Sequence, residues 1–238
     1  MSPSASAVET HAAADGLVAH HFENLEQQRD AGTLGMWFFL GSEVLFFGGV
    51  FTAYAMMRES APAGFRAGSN HLNPVLGGVN TAVLLTSSLT MALAVWSAQT
   101  ARRHLLQLFL ALTLLFGSAF LGIKAYEWYT EYAEGLLPGE TFGTTIHGEP
   151  ITGEDGAPVP PELRKSMELF FVFYFIITGL HGLHMLVGLA VLGVQLGLAL
   201  RTNFGIADYG PVEISGLYWH FVDIVWIFVF PLLYLLRG

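Results

Sequence analysis

The chain has 238 residues, a net charge of -9, 53% hydrophobic residues and only 12% charged ones. A soluble domain carries about 25% charged residues, so lipid is the expected solvent for most of this chain, and the acidic balance leaves no basic stripe for nucleic acid. Cysteine is absent, which removes disulfides, iron–sulfur clusters, thiolate zinc sites, c-type haem attachment and copper centres built on cysteine.

Residues 1–29 read as a polar N-terminal tail. It lacks the basic and apolar regions of a secretory signal, and its one helical signal is a short amphipathic stretch near Phe22 to Gln28. Residues 30–238 read as an all-α, polytopic transmembrane domain. Its five apolar segments span about 34–57, 75–97, 105–126, 169–200 and 214–236, each long enough to cross a hydrocarbon core that needs about 20 residues. Asn73-Pro74 opens the second, where proline suits a first helical turn. The fourth exceeds what the bilayer needs, so it should tilt or project into water. Pro231 should bend the last turns of the fifth.

The one long connection, 127–168, holds nine acids against Arg164 and Lys165, with five prolines. It reads as an exposed acidic loop, either simply solvated or a surface for a basic partner. Lys124, Tyr126, Glu127, Trp128 and Tyr129 at the end of the third span read as interfacial anchors, as do Trp96, Tyr218 and Trp219. Arg102, Arg103 and Arg201 are candidates for lipid-phosphate contacts, and Trp219 is a further lipid-binding candidate. Five spans put the termini on opposite sides, and the basic residues do not decide which side is which.

Polar residues inside the spans carry the functional signal. Glu43 stands within Phe38–Phe47, at a depth where a charge costs about 2.5–3.5 kcal/mol, so it should face protein or enclosed water. It reads either as a hydrogen-bonded structural acid or as a proton-responsive site. Ser42, Gly49 and Ala53, and Gly41 with Gly48, form small-residue stripes expected to let helices approach. Asn80, Leu84, Ser87 and Met91 share one face of the second span and suit interhelical hydrogen bonding. His181 and His184 lie on one face of the fourth span, and His220 and Asp223 are similarly spaced on the fifth. Three membrane histidines invite a metal or b-haem reading. Paired haem ligands must face each other across helices, a copper or di-iron site needs three or more convergent ligands, and the Glu-x-x-His signature is missing. Glu43, His181, His184, His220 and Asp223 therefore read as a buried network of His–Glu and His–Asp hydrogen bonds, with no metal site and no catalytic residue.

These motifs together resemble subunit III of the haem-copper oxidases, the cytochrome c oxidase subunit 3 family, in its five-helix bacterial form. The resemblance is carried by Gly41-Ser42-Glu43-Val44-Leu45-Phe46-Phe47, by Asn80-Thr81 through Ser87-Ser88, by Gly179-Leu180-His181-Gly182-Leu183-His184, and by Tyr218-Trp219-His220-Phe221-Val222-Asp223-Ile224-Val225-Trp226. It runs over about 29–238, apart from the loop at about 130–161. It implies an accessory, non-redox subunit that stabilises the catalytic subunit and binds structural phospholipid. Haem and copper would lie in partner subunits: subunit I, and a copper- or quinol-side subunit II, within an aerobic proton-translocating complex or a larger respiratory supercomplex. It also implies a bacterial plasma-membrane location, N-terminus cytoplasmic and C-terminus outside. By the same resemblance Glu43 is the family's intramembrane acid, with His184 as the partner expected from its face and depth. His220 and Asp223 fall in the terminal signature, and Arg201 falls at the lipid-phosphate arginine. Three alternatives stay open from the residues: an accessory subunit of a nitric oxide reductase, a b-haem anchor using the histidines, and a proton-coupled transporter built around Glu43 and Asp223.

Overall fold

The computed structural model describes residues 22–139, 142, 160–202, 204–206 and 208–236. Residues 1–21, most of the acidic loop and a few isolated positions lie outside the described residues, so the reading of the tail is tested only from Phe22 onward. Every regular element among the described residues is a helix: α1 Leu25–Ser60, α2 Pro62–His71, α3 Pro74–Gln99, α4 Arg103–Ala133, α5 Pro161–Arg201 and α6 Gly210–Tyr234. All but α2 are long and apolar enough to cross a membrane.

Local chemistry sets the helix starts. The Asn24 side chain accepts from the Gln27 amide and caps α1. Asn73 accepts from the Val75 and Leu76 amides, with Pro74 in the first turn of α3. The short links from α1 through α2 to α3, from α3 to α4 and from α5 to α6 make successive spans antiparallel. One end of the bundle, the amino side, therefore carries the start of α1, the α3–α4 turn and the α5–α6 link. The other, the carboxy side, carries α2 and the end of α6.

The core is organised on α6. Half of its apolar window is buried, against 11% for α1. Trp219 is fully enclosed because Gly117 of α4 and Gly188 of α5 have no side chain. A Cβ at either would stand within 2.8 or 2.9 Å of the indole. On the carboxy side Phe65 of α2 packs edge-on against Tyr54 of α1 and Phe170 of α5. Ser69 of α2 donates to the Leu233 carbonyl at 2.7 Å. α1 is the loosest member. Its buried residues are Leu40, Phe47 and Tyr54, a seven-residue repeat that gives one narrow contact stripe.

Several expectations change here. The first helix starts at Leu25, inside the expected tail, because Arg29 bonds Asp208 at 2.7 Å and stacks on Tyr209, 4.0 Å from the ring centroid. The third span continues to Ala133 and the fourth begins at Pro161. Residues 127–133 and 161–168 are thus helical, not loop, and Glu127 and Glu131 are buried. α2 has no long apolar run and gave no sequence signal. Among the described residues the small-residue stripes of α1 pack against nothing: Ser42, Gly49 and Ala53 are exposed, and nothing stands within 4 Å of a Cβ built on Gly41, Gly48 or Gly49.

Candidate functional site

Glu43 and His184 lie near the middle of α1 and α5, and their side chains meet. His184 Nε2 is 3.2 Å from Glu43 Oε2, with both side chains mostly buried. The other ring nitrogen, Nδ1, lies 2.8 Å from the Leu180 carbonyl one turn back. A carbonyl only accepts, so Nδ1 carries hydrogen and Nε2 of a neutral ring is an acceptor. The pair therefore shares one proton, held as a carboxylic acid donating to imidazole or as an imidazolium facing a carboxylate. Tyr218 steadies the site by donating to the His184 carbonyl at 2.9 Å, and Phe47 meets the imidazole edge-on. A cavity of about 200 Å³ opens beside Glu43, His184 and Tyr218.

The other three members of the expected network do not join this pair. His220 turns toward α3, where Ser88 Oγ lies 2.8 Å from its Nδ1. Asp223 is 2% exposed, and neither carboxylate oxygen has a hydrogen-bond partner among the described residues. No His220–Asp223 bond forms among the described residues, although Ser88 of α3, which bonds His220, also stands beside Asp223. Among the described residues His181 has no hydrogen-bond partner on either nitrogen and is held by rings, edge-on to Phe120 and 5.0 Å from Trp226. The expected single network is thus one His184–Glu43 pair, one Ser88–His220 pair with Asp223 beside it, and His181 apart from both. The expected α3 face, Asn80, Leu84, Ser87 and Met91, is buried throughout. Ser87 donates to the Thr113 carbonyl at 3.2 Å and accepts from Trp219 Nε1 at 3.2 Å.

A polar cluster that the sequence reading placed at the interface sits inside the bundle instead. Lys124 is 4% exposed. Its Nζ donates to Glu127 Oε2 at 3.1 Å, to the Tyr174 hydroxyl at 3.0 Å and to the Tyr234 hydroxyl at 2.7 Å. Tyr234 in turn donates to Glu127 Oε1 at 2.6 Å. The ammonium also lies over the Tyr174 ring, 4.4 Å from its centroid. This closes a cation, a carboxylate and two phenols from α4, α5 and α6 into one unit. The available signal was the spacing of Lys124, Glu127 and Glu131, which share a helical face.

The lipid-phosphate candidates lie on the amino side. Arg201 is exposed at the end of α5. Arg103 donates to the Ala199 and Leu200 carbonyls beside it, and Arg102 stacks on Trp96 at 4.7 Å. Trp219 is corrected: it is no interfacial anchor but a core residue. Though enclosed, it lies at the floor of an apolar groove of about 330 Å³ between α1, α5 and α6.

Comparisons with known proteins place this architecture. The family described as cytochrome c oxidase subunit III matches residues 15–147 and 165–237. The chain is 30% identical to cytochrome c oxidase subunit 3 of Bacillus subtilis over 203 residues, covering 85% of each chain. It is 31% identical to a probable cytochrome c oxidase subunit 3 of Nocardia farcinica over 217 residues, covering 91% of this chain and 92% of the relative. It is 28% identical to cytochrome bo(3) ubiquinol oxidase subunit 3 of Pseudomonas aeruginosa over 233 residues, 98% of both. This multi-pass membrane protein belongs to the cytochrome c oxidase subunit III family of the haem-copper oxidases.

Proposed function

We propose that the chain is the accessory, non-redox subunit III of a respiratory terminal oxidase, holding the catalytic subunit in its working form while oxygen reduction occurs next door. The observation that carries this reading is His184, whose two ring nitrogens are engaged by Leu180 and Glu43. The donor set does not fit haem or copper. His220 directs Nδ1 to Ser88, and His181 is enclosed by Phe120 and Trp226 on a different turn from the Glu43 pair. No electron-transfer step is therefore assigned to these residues. Haem and copper belong to subunits I and II, and the electron donor, cytochrome c or quinol, is a property of those partners.

Structural phospholipid fits two features. Arg201, beside Arg103 on the amino side, offers positive charge for a phosphate. The groove floored by Trp219 and lined by Phe39 and Val191 offers an apolar channel for an acyl chain. In this reading the N-terminus faces the cytoplasm and the C-terminus the outside of a bacterial plasma membrane.

The test is gentle solubilisation of native membranes and isolation through a tag on this chain. Haem-bearing subunits should co-elute with oxygen-reducing activity, and the separated chain should be colourless. Stoichiometric iron or copper in the separated polypeptide would overturn the reading.

A further inference from the structure

Between Arg29 and Glu43, α1 has one buried residue, Leu40. That stretch, roughly 21 Å of helix at a rise of about 1.5 Å per residue, forms one wall of the apolar groove over Trp219. Met36 and Phe39 supply the wall, and Val191 of α5 and Ile214 of α6 line the groove with them. One turn before Met36 the wall closes on α6, since a Cβ on Gly32 would stand 2.8 Å from Ile214 Cδ1. At the other end the groove shares Phe39, Val187 and Tyr218 with the cavity beside Glu43 and His184. A wall with so little packing is held by its two ends. At the first, Arg29 Nε donates to Asp208 Oδ1 at 2.7 Å, and the guanidinium lies 4.0 Å from the centroid of the Tyr209 ring. The same Asp208 oxygen accepts from the Gly210 amide at 3.0 Å, which fixes it on the start of α6. At the second, Glu43 meets His184.

We propose that the amino half of α1 is a hinged wall of this groove, latched shut by Arg29 on Asp208 and Tyr209, and that its release admits and discharges the acyl chain of a bound phospholipid. The proposal rests on the lipid reading above and adds the route of exchange. The groove lies at the depth of the first span, where the surrounding solvent is acyl chain. An ion pair that keeps some exposure, as this one does, is individually weak. The far end of α1 is closed instead by the Tyr54 bond to the Leu232 carbonyl and by Phe65 of α2, so the amino end is the one that releases. With the latch closed, α1 holds Met36 and Phe39 against the chain. With it open, α1 tilts away about the Glu43–His184 bond and that wall is lost.

The test uses the complex isolated through a tag on this chain, mixed with vesicles of deuterated phosphatidylethanolamine and phosphatidylglycerol. Mass spectrometry follows replacement of the phospholipid that stays with the complex. Arg29→Gln removes the charge and the ring contact and should speed that exchange on the order of three- to tenfold. Asp208→Asn keeps an oxygen for the Gly210 amide and should speed it by a smaller factor. In a separate arm, Gly32→Cys with Ile214→Cys pins the wall to α6 on mild oxidation, the chain having no cysteine of its own. The oxidised form should exchange more slowly than the same variant reduced. Val191→Trp, which fills the groove, should expel the retained lipid. Unchanged exchange in Arg29→Gln, equal exchange in the oxidised and reduced forms, or equal speeding of every lipid on the complex would overturn the latch and leave the lipid reading standing. Retention of the lipid in Val191→Trp would place it elsewhere and overturn the proposal. A wild-type complex with no slowly exchanging phospholipid would overturn the lipid reading itself.

Discussion

Glu43 and His184 tie α1 to α5 across 3.2 Å near the middle of the bundle. The bond matters because, between the Arg29–Asp208 pair near its start and the Tyr54 hydroxyl near its end, α1 buries only Leu40, Phe47 and Tyr54 among the described residues. Glu43→Ala leaves His184 Nε2 without a partner and should loosen α1 by about 1–2 kcal/mol. Glu43→Gln keeps a donor toward the ring and should stay within about 0.5 kcal/mol of wild type. Thermal denaturation in detergent, together with proteolysis at the exposed α1–α2 junction, reads both. An alanine variant as stable and as protected as wild type would remove the tether role.

This pair also shows what the sequence makes legible. The spans are visible because about 20 consecutive apolar residues leave little choice in lipid. Glu43 stands out because an acid in such a run demands a partner. The partners of His220 and Asp223 depend on helix rotation and depth, which no local pattern specifies, and Ser88 is one of several small polar residues on α3. The helix ends were hidden for a related reason. Lys124 and Glu127 look like interfacial anchors until Tyr174 and Tyr234, far away in sequence, close around them. α2 was hidden because Gly64 and Gly68, which carry no hydrophobic signal, are the residues that let it approach Ser166 and Phe170 of α5.

The Lys124 cluster predicts a large penalty for removing one member and a smaller one for removing both charges. Lys124→Met leaves Glu127 buried without its cation and should destabilise the chain by about 3–5 kcal/mol. Adding Glu127→Gln should recover part of that loss, since the two tyrosine hydroxyls can still bond the amide. A double-mutant cycle on the melting temperature checks the sign. Equal or greater destabilisation in the double variant would show that Lys124 acts by packing alone.

The seat of Trp219 predicts a contrast between glycines of the same chain. Gly117→Ala and Gly188→Ala each place a methyl within about 3 Å of the indole, and should cost about 1–3 kcal/mol as overpacking. Gly182→Ala, with nothing within 4 Å, should change stability by less than about 0.5 kcal/mol. Melting of the three variants under one detergent condition makes the comparison. Tolerance at Gly117 and Gly188 would mean that the α4–α5–α6 core is looser than the structure shows.

The end of α6 gives the remaining prediction and a role for α2. The last carbonyls of a helix lack amide partners within it. Here Tyr54 of α1 donates to the Leu232 carbonyl at 2.6 Å, and Ser69 of α2 donates to the Leu233 carbonyl at 2.7 Å. Two elements distant in sequence thus close the terminus on which Tyr234 and the Lys124 cluster depend. Tyr54→Phe and Ser69→Ala should each cost about 0.5–1.5 kcal/mol. Both should speed amide exchange in the last turn of α6 while leaving its middle, around Val222, unchanged. Exchange that rises evenly along α6 would point to a general loss of packing, and exchange that does not rise at all would leave α2 without a capping role.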